Sequence, residues 1–186
     1  MHGLLVFSFS EEAGRLEVFG TAKGLNKWKE KLSSLGKSNK PIELVPPYIQ
    51  SFPSLDDEYH RNMEFKYVRA ANVSLNFVPS NEYILTFEWN AQNNRLEIYA
   101  SGPGLEVLLT ELSNLIGDEA KADCVDHDHW MAWEKLALEE GEYFNPYILS
   151  ESKQGQDTRL IGYIKPYIMP REHFAKMYQL DYFQYC

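Results

Sequence analysis

The stretch Ile84-Leu85-Thr86-Phe87-Glu88-Trp89-Asn90-Ala91-Gln92-Asn93-Asn94-Arg95-Leu96-Glu97-Ile98-Tyr99 decides the fold, because the chain writes it twice. At an offset of 80, without a gap, Leu5, Phe7, Arg15, Leu16, Glu17, Gly24, Leu25, Leu32, Ser33 and Leu35 meet Leu85, Phe87, Arg95, Leu96, Glu97, Gly104, Leu105, Leu112, Ser113 and Leu115. Conservative pairs fill the intervals: Leu4 with Ile84, Phe9 with Trp89, Val18 with Ile98, Phe19 with Tyr99. A self-match of this kind is read first, since missing a repeat misassigns the whole fold.

Each copy has the same grammar. Leu4–Phe9 and Ile84–Trp89 have strand character, and Arg15–Phe19 and Arg95–Tyr99 alternate as a second strand. Glu11-Glu12-Ala13-Gly14 and Ala91-Gln92-Asn93-Asn94 supply the turn residues of a hairpin. Leu25, Trp28, Leu32 and Leu35 then recur at helical spacing, as do Leu105, Leu108, Leu109, Leu112, Leu115 and Ile116. Gly36 and Gly117 stand where those helices stop. Ile42–Val45 and Ala122–Val125 resemble a third strand.

The expected architecture is therefore α+β, a duplicated β-β-α-β unit over 3–46 and 83–126. It predicts one continuous, mostly antiparallel sheet with both helices on one face. A unit of this size buries too little apolar area to stand alone, so both copies are expected to share one core in a single domain, 1–186.

Outside the copies, Pro46–Asn62 reads as loop and Glu64–Val78 as one or two added strands. In the extension, 127–186, His129–Leu138 fits a helix burying Trp130, Trp133 and Ala137, capped by Asp126 or Asp128. Arg159–Ile168 has strand character interrupted by Pro166, and Arg171–Tyr178 fits a short helix. The tail Tyr178–Cys186 is too aromatic for solvent and is expected to pack on the body or on a partner, a second copy of the chain included.

Composition narrows the function classes. The 186 residues are 44% apolar, 14% aromatic and 24% charged, which is globular and not disordered. No run of apolar residues is long enough for a membrane helix, and Met1–Phe7 lacks the basic region of a secretory leader. Two cysteines, Cys124 and Cys186, make no disulfide framework, so a cytoplasmic protein is expected. Eighteen bases against 27 acids give a net −9, which disfavours nucleic acid as a partner. The charge is also uneven. Thr21–Lys40 holds six lysines and one acid, whereas Glu111–Glu142 holds ten acids and two bases. That acidic stretch reads as a solvated face, as complement to the lysine-rich helix, or as a surface that steers a basic partner.

Phosphate-cradling glycine loops, a dinucleotide fingerprint and a nucleophile elbow are absent from the sequence. Cys124, beside Val125 in a strand-like segment, reads as core, and no residue pattern demands catalysis or a cofactor. The one dense group of ligand-type side chains is Cys124-Val125-Asp126-His127-Asp128-His129. In an extended segment His127 and His129 point to one side, where they suit a zinc ion with a third ligand such as His173 or a carboxylate. The plainer alternative leaves both histidines on the surface beside the helix cap.

The run Gly104-Leu105-Glu106-Val107-Leu108-Leu109-Thr110-Glu111-Leu112, with His127-Asp128-His129-Trp130 following, resembles the immunity protein 32 family of bacterial polymorphic toxin systems. The resemblance covers about thirty residues of the second copy. It implies a short α+β domain that neutralises a cognate toxin by binding it, without cofactor. On that reading a basic toxin meets an acidic face around Asp118, Glu119, Asp123, Asp126 and Asp128, with Trp130 and Trp133 as aromatic anchors if exposed. A scaffolding α+β domain and a metal-binding protein centred on His127 and His129 are the alternatives.

Overall fold

The computed structural model of the chain describes residues 3–37, 40–46, 49, 66–117, 126–127, 129–131, 157–170 and 172. Among them no helix is long and apolar enough to cross a membrane. β1 (Leu5–Ser10) and β2 (Arg15–Gly20) pair antiparallel, Leu5 opposite Gly20 through Ser10 opposite Arg15. β6 (Leu85–Asn90) and β7 (Arg95–Ala100) pair in the same register eighty residues on. Both turns need one residue in the left-handed region, and Gly14 (φ 59°) and Asn94 (φ 51°) fill that same place.

Each hairpin runs directly into a helix, α1 (Ala22–Leu35) or α2 (Gly102–Ile116). Thr21 and Ser101 cap them, their hydroxyl oxygens accepting the Gly24 and Gly104 N–H groups at 3.2 and 3.3 Å. The same oxygens accept the Leu4 and Ile84 N–H groups at 3.1 and 2.9 Å, which ties each helix start to the entry of its hairpin. Contact is so close that a Cβ on Gly24 would lie 2.0 Å from the Leu4 carbonyl oxygen, and one on Gly104 1.9 Å from that of Ile84. Gly24 and Gly104 are therefore packing requirements.

The remaining strands depart from the expected single sheet. β5 (Asn72–Phe77) lies parallel to β7, and β11 (Tyr163–Ile168) lies parallel to β2, so each hairpin takes its parallel neighbour from the other half of the chain. β3 (Ile42–Leu44) then pairs with β5, while β8 (Asp126–His127) and β9 (Trp130–Met131) pair with β11. β4 (Val68–Arg69) and β10 (Thr158–Ile161) close the outer sides of β1 and β6. The result is two mixed sheets, β4-β1-β2-β11-β8 with β9 also on β11, and β10-β6-β7-β5-β3. We refer to them as the first and second sheets.

The third strand of the first expected unit, β3, thus leaves its own hairpin, because the free side of β2 is occupied by β11. A parallel pairing requires a long crossover. Here β5 connects to β7 through β6, and β2 to β11 through the strands of the second sheet, while α1 touches both β2 and β5, as α2 touches β7 and β11.

The C-terminal extension also differs from expectation. Trp130–Met131 is a strand opposite Ile164 and Tyr163, not the start of a helix, and Asp126 lies in β8 rather than in a helix cap. Ala122–Val125, Trp133 and Arg171–Tyr178, except for Glu172, lie outside the described residues. Pro166 does not end its strand. It continues the ladder, pairing with Val18 of β2.

Strand alternation sends Leu5, Phe7, Phe9, Leu16 and Val18, with Leu85, Phe87, Trp89, Leu96 and Ile98, into one core. The helices add Leu25, Trp28, Leu32, Leu35, Leu105, Leu108, Leu112 and Leu115 to it. Phe9 and Trp89 meet each other at a centroid distance of 5.3 Å.

Candidate functional site

With alternate residues committed to the core, the others of each strand form the outer face of its sheet. On the second sheet, strand register lines up Glu88, Glu97, Ser74 and Glu43 in one row across β6, β7, β5 and β3. Carboxylates opposite one another repel. Arg95 on the same face relieves this: its Nε donates to Glu97 Oε1 at 3.0 Å and its Nη2 to Glu43 Oε1 at 2.7 Å. Ser74 donates to Glu43 at 2.9 Å and Tyr99 OH to Glu97 at 2.9 Å. Burial, then the negative charge of Glu97 and the Tyr99–Glu97 hydrogen bond, raise the Tyr99 pKa far into the alkaline range, so the phenol remains a donor. Glu88 is 1% exposed, and Arg95 binds two of the three carboxylates in this row, Glu43 and Glu97.

The first sheet repeats the arrangement with the signs exchanged. Arg69, Ser8, Glu17 and Lys165 form the equivalent row, with Arg15 beside Glu17 at 2.9 Å. Three cations here face one carboxylate, Glu17, which is 0% exposed. Tyr67 accepts from Arg15 Nε at 3.0 Å and from Nη2. Burial works against the Arg15 charge, but the bond to Tyr67 and the Glu17 carboxylate outweigh it and raise its pKa. Burial and Glu17 likewise raise that of Tyr67.

Along the far side of that face runs a cluster of rings. Phe19 stacks on Tyr167 at 4.6 Å, and His127, opposite Tyr167 in the ladder, approaches it at 5.5 Å. His129 lies 5.7 Å from the Tyr163 ring, and its Nδ1 hydrogen-bonds the Tyr163 hydroxyl. The His127 and His129 rings meet edge to face at 5.1 Å, and both residues are exposed. Lys165 Nζ sits 5.1 Å from the Tyr167 ring centre.

The two histidines thus fall on one side, as their spacing implies. Trp130, on the opposite side, is 3% exposed and belongs to the core, so the exposure that an anchoring role requires is not met. Asp118, Glu119, Asp123, Asp128, Trp133 and His173 lie outside the described residues, and of Asp126 only the strand pairing is described. Where the acid-rich stretch begins, Ser113, Ile116 and Gly117 line an open cleft of about 730 Å³ together with Lys23, Lys27 and Lys29 of α1.

The outer-face residues Glu43, Glu88, Arg95, Tyr99, Arg69 and Lys165 were not legible as a group. The signal available was the repeated Arg-x-Glu, whose alternation puts both charges opposite a core leucine. Arg95→Met is expected to cost about 1 kcal/mol, more at low salt, because Glu43 and Glu97 lose their shared cation. Adding Glu97→Gln should recover part of that loss in chemical denaturation, whereas strictly additive effects would mean that the pair is not coupled. No family model, curated protein or solved structure matches this chain.

Proposed function

We propose that this protein is a non-catalytic inhibitor that binds a basic partner protein through an acidic face, the role that resemblance to the immunity protein 32 family implies. The observation supporting this reading is the segregation of charge over one fold. The outer face of the second sheet sets Glu43, Glu88 and Glu97 against Arg95, whereas the equivalent face of the first sets Arg15, Arg69 and Lys165 against Glu17. The acid-rich Glu111–Glu142 stretch extends the negative potential along the chain from the end of α2. Such a field raises the on-rate of a basic partner and disfavours docking on the lysine-bearing helix. Trp130 has no part in the contact.

The test is recovery of partners on the tagged full chain from its host at low salt, identified by mass spectrometry. A stoichiometric basic protein should be captured, be released by salt, and be lost from an Asp118→Lys/Glu119→Lys/Asp123→Lys variant whose circular dichroism is unchanged. Capture indifferent to charge reversal, or recovery of the chain alone, would overturn the inhibitor reading and favour a scaffolding role.

A further inference from the structure

We propose that the cleft between α1 and α2 docks an acidic, amphipathic polypeptide segment of a partner protein. This surface is opposite in sign to the one the inhibitor reading uses, and it does not depend on that reading. The cleft holds about 730 Å³, within the range of about 300–1,000 Å³ in which ligand sites fall. Lys23, Asn26, Lys27 and Lys29 line its α1 wall, and Ser113 and Ile116 its α2 wall. A second hollow of about 310 Å³, lined by Leu105, Glu106, Leu109 and Thr110, shares Ser113 with it. Together the two run from Gly102 to Gly117, about 22 Å of helix at about 1.5 Å per residue.

Charge sets the class of occupant. The chain carries a net −9, yet among the described residues lining the cleft three lysines stand against one carboxylate, Glu30. Among the described residues no ion pair and no side-chain hydrogen bond engages Lys23, Asn26, Lys27 or Lys29. The arginines of the sheets differ: Arg15, Arg95 and Arg159 each hold a carboxylate, at 2.9, 2.7 and 2.9 Å. The lysine wall therefore has charge to offer a ligand. Nucleic acid does not suit it, because phosphates beyond the cleft would meet the negative field of the remaining surface. A short acidic segment places its charge in the cleft alone. The α2 side calls for apolar groups on that same segment, since Leu109 and Ile116 pack on the core and are only partly buried. A basic wall beside an apolar rail about 22 Å long exceeds what a small anion fills. It fits a helix bearing carboxylates on one side and aliphatic residues on the other.

The probe is a fluorescein-labelled peptide of Glu and Leu at helical spacing, about 14 residues long to match the groove. Added to the full chain at low salt and followed by fluorescence anisotropy, it should bind one to one and weaken as salt rises. A Gln/Leu peptide of the same spacing should not bind. Lys23→Glu/Lys27→Glu/Lys29→Glu, with unchanged circular dichroism, should weaken binding by about 10-fold or more, whereas Lys165→Glu on the first sheet should leave it unchanged. On the unaltered chain, amide shifts on peptide addition should concentrate in residues 22–30 and 102–117, so the result does not depend on how the variants fold. Absence of binding, equal binding by the triple variant, or shifts centred elsewhere would overturn the proposal. Self-association lost in the triple variant would assign the cleft to a second copy and overturn it too. So would binding gained only in an Asp118→Asn/Glu119→Asn/Asp123→Asn variant, which would assign the cleft to the chain's own acidic stretch.

Discussion

Gly104→Ala is expected to lower the stability of the protein by about 3 kcal/mol, the upper end of the usual cost of over-packing. In an exposed helix the same exchange would stabilise by about 1 kcal/mol, since alanine is the better helix former. The sign is reversed here because the added methyl would lie 1.9 Å from the Ile84 carbonyl oxygen and 2.7 Å from its carbon. Neither atom can rotate aside. The carbonyl also accepts the Ser101 N–H at 2.9 Å, so displacing it loosens the helix cap. Gly24→Ala should cost a similar amount, its methyl lying 2.0 Å from the Leu4 oxygen. Gly102→Ala, which meets nothing within 4 Å, is the control and should be neutral or mildly stabilising. Urea midpoints at constant slope measure all three. A neutral Gly104→Ala would mean that α2 does not sit this close to its hairpin.

Trp28→Ala should cost about 3–5 kcal/mol, the range for emptying a buried aromatic site. Trp28 is 1% exposed, and its ring stands edge-on to Phe7 at 5.2 Å, between α1 and the first sheet. Trp28→Phe separates volume from polarity. The indole Nε1 is buried without a hydrogen-bond partner among the described residues, so losing it relieves a desolvated donor while some contact area goes. The expected cost is about 1 kcal/mol, read by the same denaturation curves. If Trp28→Phe proved as damaging as Trp28→Ala, the indole N–H would have to be bonded in solution.

Much of this followed from local pattern. Alternation in Leu85–Asn90 and Arg95–Ala100 assigns core and outer faces by itself, because a strand's side chains change sides at every residue. The helical spacing of Leu25, Trp28, Leu32 and Leu35 likewise predicts which side of α1 is buried. The His127–His129 pairing on one side was legible for the same reason. Trp130 was misassigned because an apolar residue beside a turn satisfies a short helix and a short strand alike, and only the demand of β11 for an antiparallel neighbour selects the strand.

The chain by itself determined the α+β class, the two hairpin-helix units and the shared core. Each of these depends on residues adjacent or nearly adjacent along the sequence. Only the tertiary structure decided that β5 and β11 change places between the halves, so that two mixed sheets form where one was expected. It alone set Glu43 of β3 beside Arg95 and Glu97 of β7. The physical reason is that alternation specifies which way a strand faces and not which strand lies beside it. Partners and register follow from how the helices and strands together cover one core.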